Sequence, residues 1–197
     1  MILSIGLPVI AYLLGSISSA VLVCKAMGLS DPRTDGSGNP GATNVLRLHG
    51  KQAAAITLAG DVLKGFLPVL LARLLKAPDL IIALTGLFAF FGHLYPVFFN
   101  FQGGKGVATL IGVVFGLHWL IGVGFVSTWL FVALVFRYSS LAGLTATWLT
   151  PCYAWVLLHS PAYVICLSIM AAVLTWRHKA NIKKLLAGTE SRIGKKA

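Results

Sequence analysis

Glycines, hydroxyls and amides are concentrated in one short segment of an otherwise apolar chain, DGSGNPGATN at residues 35–44. Glycine permits positive φ and close backbone approach, and successive free N–H groups form concavities that bind phosphate or carboxylate oxygens. Arg47 follows Thr43 by one helical turn and can hold an anion through two hydrogen bonds. The pattern favours an anion site over a flexible connection between helices, with these candidate ligands: Ser37, Gly38, Asn39, Gly41, Thr43, Asn44 and Arg47.

A second glycine-rich segment, FQGGKGVAT at residues 101–109, surrounds Lys105 with Gly103, Gly104 and Gly106. A hydrophobic run begins directly after it, so the lysine, open N–H groups and the positive end of a helix dipole would lie together. This arrangement predicts a phosphate-binding loop, and it lacks the GxxxxGK[ST] pattern of P-loop nucleotide-binding proteins. The alternative is an ordinary cytoplasmic loop with one lysine.

The segment RHKANIKKL, residues 177–185, follows the last apolar run and is strongly basic. His178 and Asn181 are three residues apart, so they would share one face of a helix that extends the last span. Both side chains can donate hydrogen bonds to a phosphate or an oxyanion. The lysines around them also suit a basic interfacial helix attracted to anionic lipid.

The inventory of other reactive residues argues against several kinds of catalysis. The chain has only 5 acidic residues, so a metal site or a pair of catalytic carboxylates is not expected, and we predict neither a metal nor another cofactor. The 3 cysteines lie far apart without CxxC or Cys/His spacing, which indicates reduced packing residues. What remains is a site rich in cations and hydrogen-bond donors, which suits substrates that carry phosphate.

Composition identifies the elements that must position these segments. Hydrophobic residues make up 57% of the chain and charged residues 11%, which indicates an integral membrane protein. A helix needs about 20 apolar residues to span the bilayer. We predict an all-α polytopic membrane protein with seven transmembrane helices at about residues 2–24, 52–75, 79–101, 107–119, 120–136, 139–158 and 161–176. In the alternative with five spans, one long helix follows Gly106 and another follows Ser140.

The distribution of positive charge predicts the orientation. Most of the 16 Lys and Arg residues lie between residues 25 and 51, at Lys105 and Arg137, and after residue 176. By the positive-inside rule these segments face the cytoplasm, so the N-terminus is outside and the C-terminus is cytoplasmic. The three polar segments then share the cytoplasmic face, as do Ser139 and Ser140 if seven helices span. This rule also explains the net charge of +11, so no nucleic-acid partner is predicted.

Asp61 and Lys64, in GDVLKG, are charged residues inside a predicted span. Intramembrane ionisable residues are candidates for function because their placement is costly, yet a pair at i, i+3 can simply satisfy itself. Both interpretations remain open from the sequence. For His93, near the end of the third predicted span, a structural histidine at the membrane interface is favoured over a catalytic one.

Three motifs, GSGNPGATNVLR, GHLYPVFFNFQGGKGVAT and RHKANIKKLLAGTE, together resemble those of the bacterial acyl-phosphate:glycerol-3-phosphate acyltransferases, an inner-membrane family of phospholipid synthesis. The resemblance covers nearly the whole chain, with the motifs in the same order. It departs from the family at ISSA, residues 17–20, in a packing segment. The family's site positions carry over as Ser37, Asn39, Thr43, Asn44, Arg47, Gly103, Gly104, Lys105, Gly106, His178, Asn181 and Glu190.

The resemblance implies one integral membrane acyltransferase domain over residues 1–197. It further implies transfer of an acyl group from acyl phosphate, not acyl-CoA, to the 1-hydroxyl of sn-glycerol 3-phosphate, giving lysophosphatidic acid and phosphate. Membrane lipid would surround the acyl chain. We expect Ser37, Asn181 and loop N–H groups to stabilise the oxyanion, and either His178 or a substrate phosphate to take the proton.

The rival interpretation is a transporter for an organic phosphate. Transporters usually place their site near the bilayer midplane, often within repeated halves, and the sequence shows no such repeat. A noncatalytic lipid-binding protein is a further alternative, because the basic tail alone would permit it. It leaves the two glycine-rich segments unexplained.

Overall fold

The structure, a computed structural model, describes residues 2–194 of the 197-residue chain, with side chains described from Ser4 onward. Met1 and residues 195–197, which belong to the predicted domain 1–197, lie outside the described residues. The regular structure within residues 2–194 is entirely helical, which confirms the predicted all-α fold class. The chain forms two compact units, a first unit Met1–Leu117 and a second unit His118–Ala197.

The helices of the first unit are α1 Ile2–Gly15, α2 Ser19–Ala26, α3 Ala42–His49, α4 Lys51–Leu74, α5 Asp79–Leu94, a short 3-10 helix Val97–Phe99, and α6 Val107–Leu117. The helices of the second unit are α7 Trp119–Phe136, α8 Ser139–Leu158, α9 Pro161–Arg177 and α10 Lys179–Leu186.

Several of these helices are suited to cross a membrane. Four are long and apolar enough on their own: α4, α5 with the following 3-10 helix, α7 and α8. Two bent pairs, α1 with α2 and α9 with α10, raise the number to 6 among the described residues if each pair is one span. The apolar helix α6 has only 11 residues. A polytopic helical protein is therefore confirmed, and the count of seven spans stays a prediction.

The helix ends show how the apolar sequence after Gly106 is divided. α6 ends at Leu117, and His118 caps α7, because its Nδ1 accepts a hydrogen bond from the Leu120 N–H at 3.3 Å. α8 ends at Leu158, where His159 has a left-handed φ of 52°, and α9 begins with Pro161. The two long helices of the five-span alternative are therefore not continuous.

The prediction of one unbroken helix over residues 2–24 is wrong. α1 ends at Gly15, α2 begins at Ser19, and the two helices are bent by 42°. The break frees the Ile17 carbonyl from the helix, and this oxygen accepts a hydrogen bond from Lys64 Nζ at 2.8 Å. Beside the break, Gly15 packs directly on the backbone of Ala89 in α5.

The third predicted span, residues 79–101, is also interrupted. The α-helix α5 stops at Leu94, and Pro96 follows two residues later. Because a proline disfavours helical geometry at the residue before it, Tyr95 adopts φ −130° and ψ 65° and leaves the helix. The 3-10 helix after Pro96 then leads into the glycine-rich segment.

Small residues bring α4 and α6 of the first unit into close contact. Gly112 of α6 lies against the Val62 carbonyl, and Gly65 of α4 lies against the Thr109 carbonyl. Such contacts let helix backbones approach closely where lipid offers no hydrophobic driving force. They hold the start of α6, and with it the end of the glycine-rich segment, against α4.

Hydrogen bonds between helices connect the parts of the second unit. Tyr153 of α8 shares a bond of 2.8 Å with the Thr128 hydroxyl of α7. Trp148 Nε1 of α8 donates to the Thr175 hydroxyl of α9 at 3.0 Å. After α9 the chain bends by 63° into α10, which starts the C-terminal tail, residues 178–194.

Candidate active site

Asn44, in the first turn of α3, holds together the preceding loop A, residues 27–41. Its side chain is 1% exposed, and its Nδ2 donates to the carbonyl oxygens of Pro32 at 2.8 Å and Asp35 at 3.1 Å. Its Oδ1 accepts from the Ser37 N–H at 3.0 Å, and its own N–H donates to Gly41, the N-cap of α3. The structure therefore gives Asn44 a positioning task, and direct contact between Asn44 and substrate stays a prediction.

The middle of loop A and one side of α3 present hydrogen-bond donors outward. Ser37 and Gly38 are exposed, as are Thr43 and Arg47, whereas Asn39 is half-buried. Gly38 has φ +66°, a left-handed geometry that favours glycine. A hydroxyl and a guanidinium are donors that an anion requires, as the sequence suggests. The Ser37 and Gly38 N–H groups donate within the loop, to Asn44 Oδ1 and to the Asp35 carbonyl.

An ion pair stabilises the start of loop A. The Arg33 guanidinium contacts the Asp31 carboxylate at 2.6 Å, and the Arg33 N–H donates to the same carboxylate at 2.9 Å. The side-chain hydrogen bond from Arg33 holds the pKa of Asp31 below its ordinary value and raises the pKa of Arg33. The guanidinium also lies 5.9 Å from the centroid of the Phe99 ring, which connects loop A to the 3-10 helix. Sequence reasoning assigns Arg33 no role. The sequence DPR, which places Arg33 two residues after Asp31, could have indicated this ion pair.

The second glycine-rich segment forms loop B, residues 100–106, which is built against α5. The Gly104 N–H donates to the His93 carbonyl at 3.2 Å, and a side chain at Gly104 would overlap the His93 imidazole. Gly106 has φ +95° and faces the Phe90 ring at the start of α6. Glycine is therefore required at these two positions by the backbone geometry and the space available.

The other candidates in loop B differ in their exposure. Gly103 is buried against the backbone of α5, and Lys105 is partly exposed directly before α6. The predicted neighbourhood of a lysine among glycines at a helix N-terminus is thus present, although the Gly104 N–H is bonded to the His93 carbonyl. The phosphate-binding roles of Gly103, Gly104, Lys105 and Gly106 stay predictions.

Three ionisable side chains lie behind loop B in the first unit. Lys64 Nζ of α4 contacts Asp61 Oδ1 at 2.8 Å, and His93 Nδ1 of α5 lies 3.6 Å from the same oxygen. All three residues are buried. The pair at i, i+3 therefore interacts as its spacing predicts, and it also lies beside a histidine that the sequence could not assign to it.

In the second unit, Glu190 of the tail is the acceptor for two predicted site residues. Its Oε1 accepts from the Ser140 hydroxyl at 2.7 Å and from Asn181 Nδ2 at 2.7 Å. The tail is thereby attached to the first turn of α8, where Ser139 is half-buried. Hydrogen bonds between Ile193 and Arg137, at 2.7 Å and 3.0 Å, extend this attachment. Substrate contact by Ser139, Ser140 and Glu190 stays a prediction.

His178 lies at the bend between α9 and α10 and is 3% exposed. Its Nδ1 is 2.8 Å from the Leu174 carbonyl, which can only accept, so Nδ1 carries the proton. In the neutral ring Nε2 is then the acceptor nitrogen. The expectation that one helix carries both His178 and Asn181 is wrong, because the chain bends by 63° at His178.

Each unit therefore brings together some of the site residues that the sequence predicts. The first unit brings loop A near the 3-10 helix that leads into loop B, through Arg33 and Phe99. The second unit brings Ser140, Asn181 and Glu190 into one hydrogen-bonded group. Sequence reasoning missed the hydrogen bonds of Glu190. Glu190 is the one acidic residue after Asp79 in the sequence, so hydrogen-bond donors in this part of the chain could have been expected to bind it.

Comparison with known sequences reveals close relatives over nearly the whole chain. A family profile described as glycerol-3-phosphate acyltransferase matches residues 5–188. A protein of that name from Halorhodospira halophila is 56% identical over 192 residues, which cover 98% of each chain. One from Hydrogenovibrio crunogenus is 55% identical over 186 residues, covering 94% of this chain and 89% of the relative.

Two solved structures are similar to this chain. Both are crystal structures of PlsY (YgiH), described as an integral membrane glycerol 3-phosphate acyltransferase. The glycerol 3-phosphate form has a TM-score of 0.92 and 41% identity, covering 97% of this chain and 96% of that one. The lysophosphatidic acid form has a TM-score of 0.90 and 40% identity, covering 97% of this chain and 95% of that one.

Proposed function

This chain belongs to the glycerol-3-phosphate acyltransferase family, and from that premise we propose that it transfers an acyl group from acyl phosphate to the 1-hydroxyl of sn-glycerol 3-phosphate. The products are lysophosphatidic acid and inorganic phosphate, in the first step of phospholipid synthesis. Family membership over residues 5–188 carries the proposal. The two forms of the similar PlsY structure support it, because glycerol 3-phosphate is the acceptor and lysophosphatidic acid the product of this reaction.

The reaction places two anionic substrates together, and the first unit has the groups to bind phosphate. The hydroxyl oxygen attacks the acyl carbon, and the bond from that carbon to the phosphate oxygen then breaks. The acyl phosphate is already activated, so holding the reactants and stabilising the tetrahedral oxyanion are the larger tasks. We assign phosphate binding to Arg47 and Lys105, beside loops A and B, with the Ser37 hydroxyl as an oxyanion donor.

The second unit supplies a histidine whose tautomer is fixed. With Nδ1 donating to the Leu174 carbonyl, His178 Nε2 can accept a hydrogen bond from the substrate hydroxyl and orient it. The proton then passes to the departing phosphate, whose second pKa is near 6. Asn181 is the proposed donor to the oxyanion from this unit.

The proposed setting is the bacterial inner membrane. Relatives named above are bacterial, and the helices that could cross a membrane support a multi-pass protein. We propose one acyltransferase domain with seven spans, an external N-terminus and a cytoplasmic active site, as the positive-inside rule suggests. Binding of membrane lipid follows from this setting.

The donor is tested with purified protein in lipid or detergent. Phosphate release and lysophosphatidic acid are followed with sn-glycerol 3-phosphate and palmitoyl phosphate, and palmitoyl-CoA replaces the donor in parallel. We expect product from palmitoyl phosphate alone. We also expect Arg47→Ala to lower kcat/KM by about 100-fold, as the loss of a charged contact to substrate does.

Lys51→Ala is the matched control, because Lys51 is an exposed cation four residues after Arg47, at the start of α4, and has no assigned contact with substrate. It should retain wild-type turnover. Product from palmitoyl-CoA as readily as from palmitoyl phosphate would overturn the assigned donor. A folded wild-type protein that forms no lysophosphatidic acid from either donor would overturn the proposed activity itself.

A further inference from the structure

Asp61, Lys64 and His93 form a buried charge cluster that has no task in the proposed chemistry. Their exposed fractions are 1%, 8% and 6%. Burying charge inside a membrane protein is costly, and an ion pair between Asp61 and Lys64 alone would do little more than offset the loss of hydration. The contacts of this cluster reach beyond the pair, to two places in the first unit.

One end of the cluster is at the break between α1 and α2. Lys64 Nζ, which contacts Asp61 Oδ1 at 2.8 Å, also donates to the Ile17 carbonyl at 2.8 Å. That carbonyl is available because the helix is interrupted there. Lys64 therefore links α4 to the broken helix through a charged hydrogen bond, a strong kind of bond in a poorly solvated place.

The other end is loop B, which lies on His93. The Gly104 N–H donates to the His93 carbonyl at 3.2 Å, and the Gly104 backbone lies so close to the His93 ring that a side chain there would overlap Nε2. The opposite ring nitrogen, Nδ1, faces Asp61 Oδ1 at 3.6 Å. A carboxylate at this distance favours the proton on Nδ1 electrostatically, without a hydrogen bond. The ring thus lies between Asp61 and Gly104.

We propose that Asp61, Lys64 and His93 are positioning residues for substrate binding: through the His93 ring they fix loop B, and with it Lys105. The inference rests on the proposed function, in which loop B binds a substrate phosphate. Donors that are already in place bind an anion without the cost of ordering the loop at that moment. A loop without the His93 ring behind it loses that advantage.

A double-mutant cycle between His93 and Gly104 tests the contact. Gly104→Ala introduces a methyl group against the His93 ring, so we expect KM for at least one of the two substrates to rise by about tenfold, the lower end of the effect of removing outer-shell partners. His93→Ala removes the ring and should raise the same KM. In the His93→Ala background, Gly104→Ala should have no further effect, because the atoms it would displace are gone.

Substitutions at the charges test the other half of the inference. Asp61→Asn keeps the side-chain volume and removes the charge that faces both Lys64 and His93, so we expect it to raise the same KM. Thr85→Val is the matched control on α5, because Thr85 is fully buried and its hydroxyl bonds within the helix, to the Ile81 carbonyl at 2.7 Å. It should leave both KM values at those of the wild type.

A readout independent of turnover is tryptic cleavage after Lys105. We expect cleavage there to be several-fold faster in His93→Ala and Asp61→Asn than in the wild type. Thr85→Val should be cleaved at the wild-type rate. The reason is that a more mobile loop fits into the active site of the protease more readily. His93→Asn, which is smaller but polar, replaces His93→Ala if that variant does not fold. Cleavage at Lys105 still decides the positioning role if the wild type forms no lysophosphatidic acid, and in that case only the proposed function fails.

Two results would overturn the inference. One is independent behaviour, in which the effects of His93→Ala and Gly104→Ala multiply in the double variant. The other is a lower Tm in Asp61→Asn and His93→Ala with both KM values and the cleavage rate at Lys105 unchanged, which is the behaviour of purely structural residues.

Discussion

At the scale of single residues, two side chains predicted to bind substrate are centres of hydrogen bonding within the protein. Asn44 bonds to Pro32, Asp35 and Ser37, and Glu190 accepts from Ser140 and Asn181. Asn44 is buried and Glu190 is partly buried, and polar groups with satisfied partners in such places fix the groups around them. Loop A and the tail therefore depend on these residues for their shape, whatever else these residues bind.

Two substitutions can separate the roles of the two ring nitrogens of His178. His178→Asn places an amide near the Nδ1 position, which preserves the bond to Leu174, whereas His178→Gln places one near Nε2. We expect Gln to retain about tenfold more turnover than Asn, since one hydrogen bond to the substrate hydroxyl is worth roughly that factor. Steady-state kcat, with Tm measured alongside, is the test.

If His178 were instead the general base, neither amide could replace it. Both variants would then lose turnover equally, by roughly 100-fold to 10,000-fold. That result would contradict the assignment of the proton to the departing phosphate.

The pair of Asp31 and Arg33 predicts an acid-dependent stability. The hydrogen bond from the Arg33 side chain lowers the pKa of Asp31 in the folded protein, so the pair's contribution is present above the ordinary value of 3.8 and is lost as the pH falls through the lower folded pKa. The raised pKa of Arg33 means that its contribution is fully present below the ordinary pKa of an arginine and does not change in acid. The Tm of the wild type should thus fall more steeply below about pH 4 than that of Asp31→Asn.

Thermal unfolding in detergent from about pH 6 to pH 3 measures this difference. Arg33→Gln removes the other partner and should give the same shallow slope as Asp31→Asn. Parallel acid slopes in all three proteins would show that the pair does not contribute to the pH dependence.

At the scale of elements, each candidate group lies where a helix is interrupted or begins. Loop A ends at the start of α3, loop B at the start of α6, and His178 lies at the bend between α9 and α10. Helix ends leave backbone N–H and C=O groups without partners in the helix, so they are where side chains and anions bind. The break before α2 serves a similar purpose by offering a carbonyl to Lys64.

The attachment of the tail to α8 depends on the carboxylate of Glu190. Glu190→Ala leaves the donors of Ser140 and Asn181 without their acceptor, and we expect it to cost about 2 kcal/mol, as for hydrogen bonds to a charged group. Glu190→Gln retains an acceptor oxygen and should cost less. The measurements are Tm and the rate of tryptic cleavage after Lys183 and Lys184, which are exposed on α10.

Cleavage in this tail should be faster in Glu190→Ala than in Glu190→Gln, and slowest in the wild type. Equal cleavage in all three proteins would mean that the bonds to Ser140 and Asn181 do not hold the tail.

At the scale of the whole molecule, the membrane sets which surfaces are apolar. Many large hydrophobic side chains are exposed, among them Leu134 at 78% and Val156 at 67%, on helices long enough to cross a bilayer. In lipid such exposure is favourable, whereas in water it would cause association. The number and direction of the spans can be tested by experiment, because each arrangement exposes different loops on the two sides of the membrane.

Cysteine labelling in membrane vesicles tests the proposed seven spans. In a background without Cys24, Cys152 and Cys166, we expect Thr34→Cys and Thr189→Cys to react with an impermeant reagent only from the cytoplasmic side. Ala77→Cys and Trp119→Cys should react only from outside. Reaction of Thr189→Cys from outside would exclude seven spans with a cytoplasmic tail. Reaction of Thr34→Cys from outside would show that the orientation is the opposite of the one proposed.

The sequence by itself determined the class of protein, the three polar segments and the family. These properties are local: the length of an apolar run, the choice of glycine, and the order of residues in a motif can be read without knowing distances. The helix ends at His118 and Pro161 also agree with the sequence, because proline and polar residues between apolar runs act within one turn.

The tertiary structure alone decided which residues meet. Ser140 and Glu190 are 50 positions apart, and Lys64 and Ile17 are 47 apart, so no local pattern could pair them. The same holds for His93, whose neighbours Asp61 and Gly104 come from a different helix and from a loop. Hydrogen bonds and close packing act over a few ångströms, and only the folded chain brings such distant residues within that range.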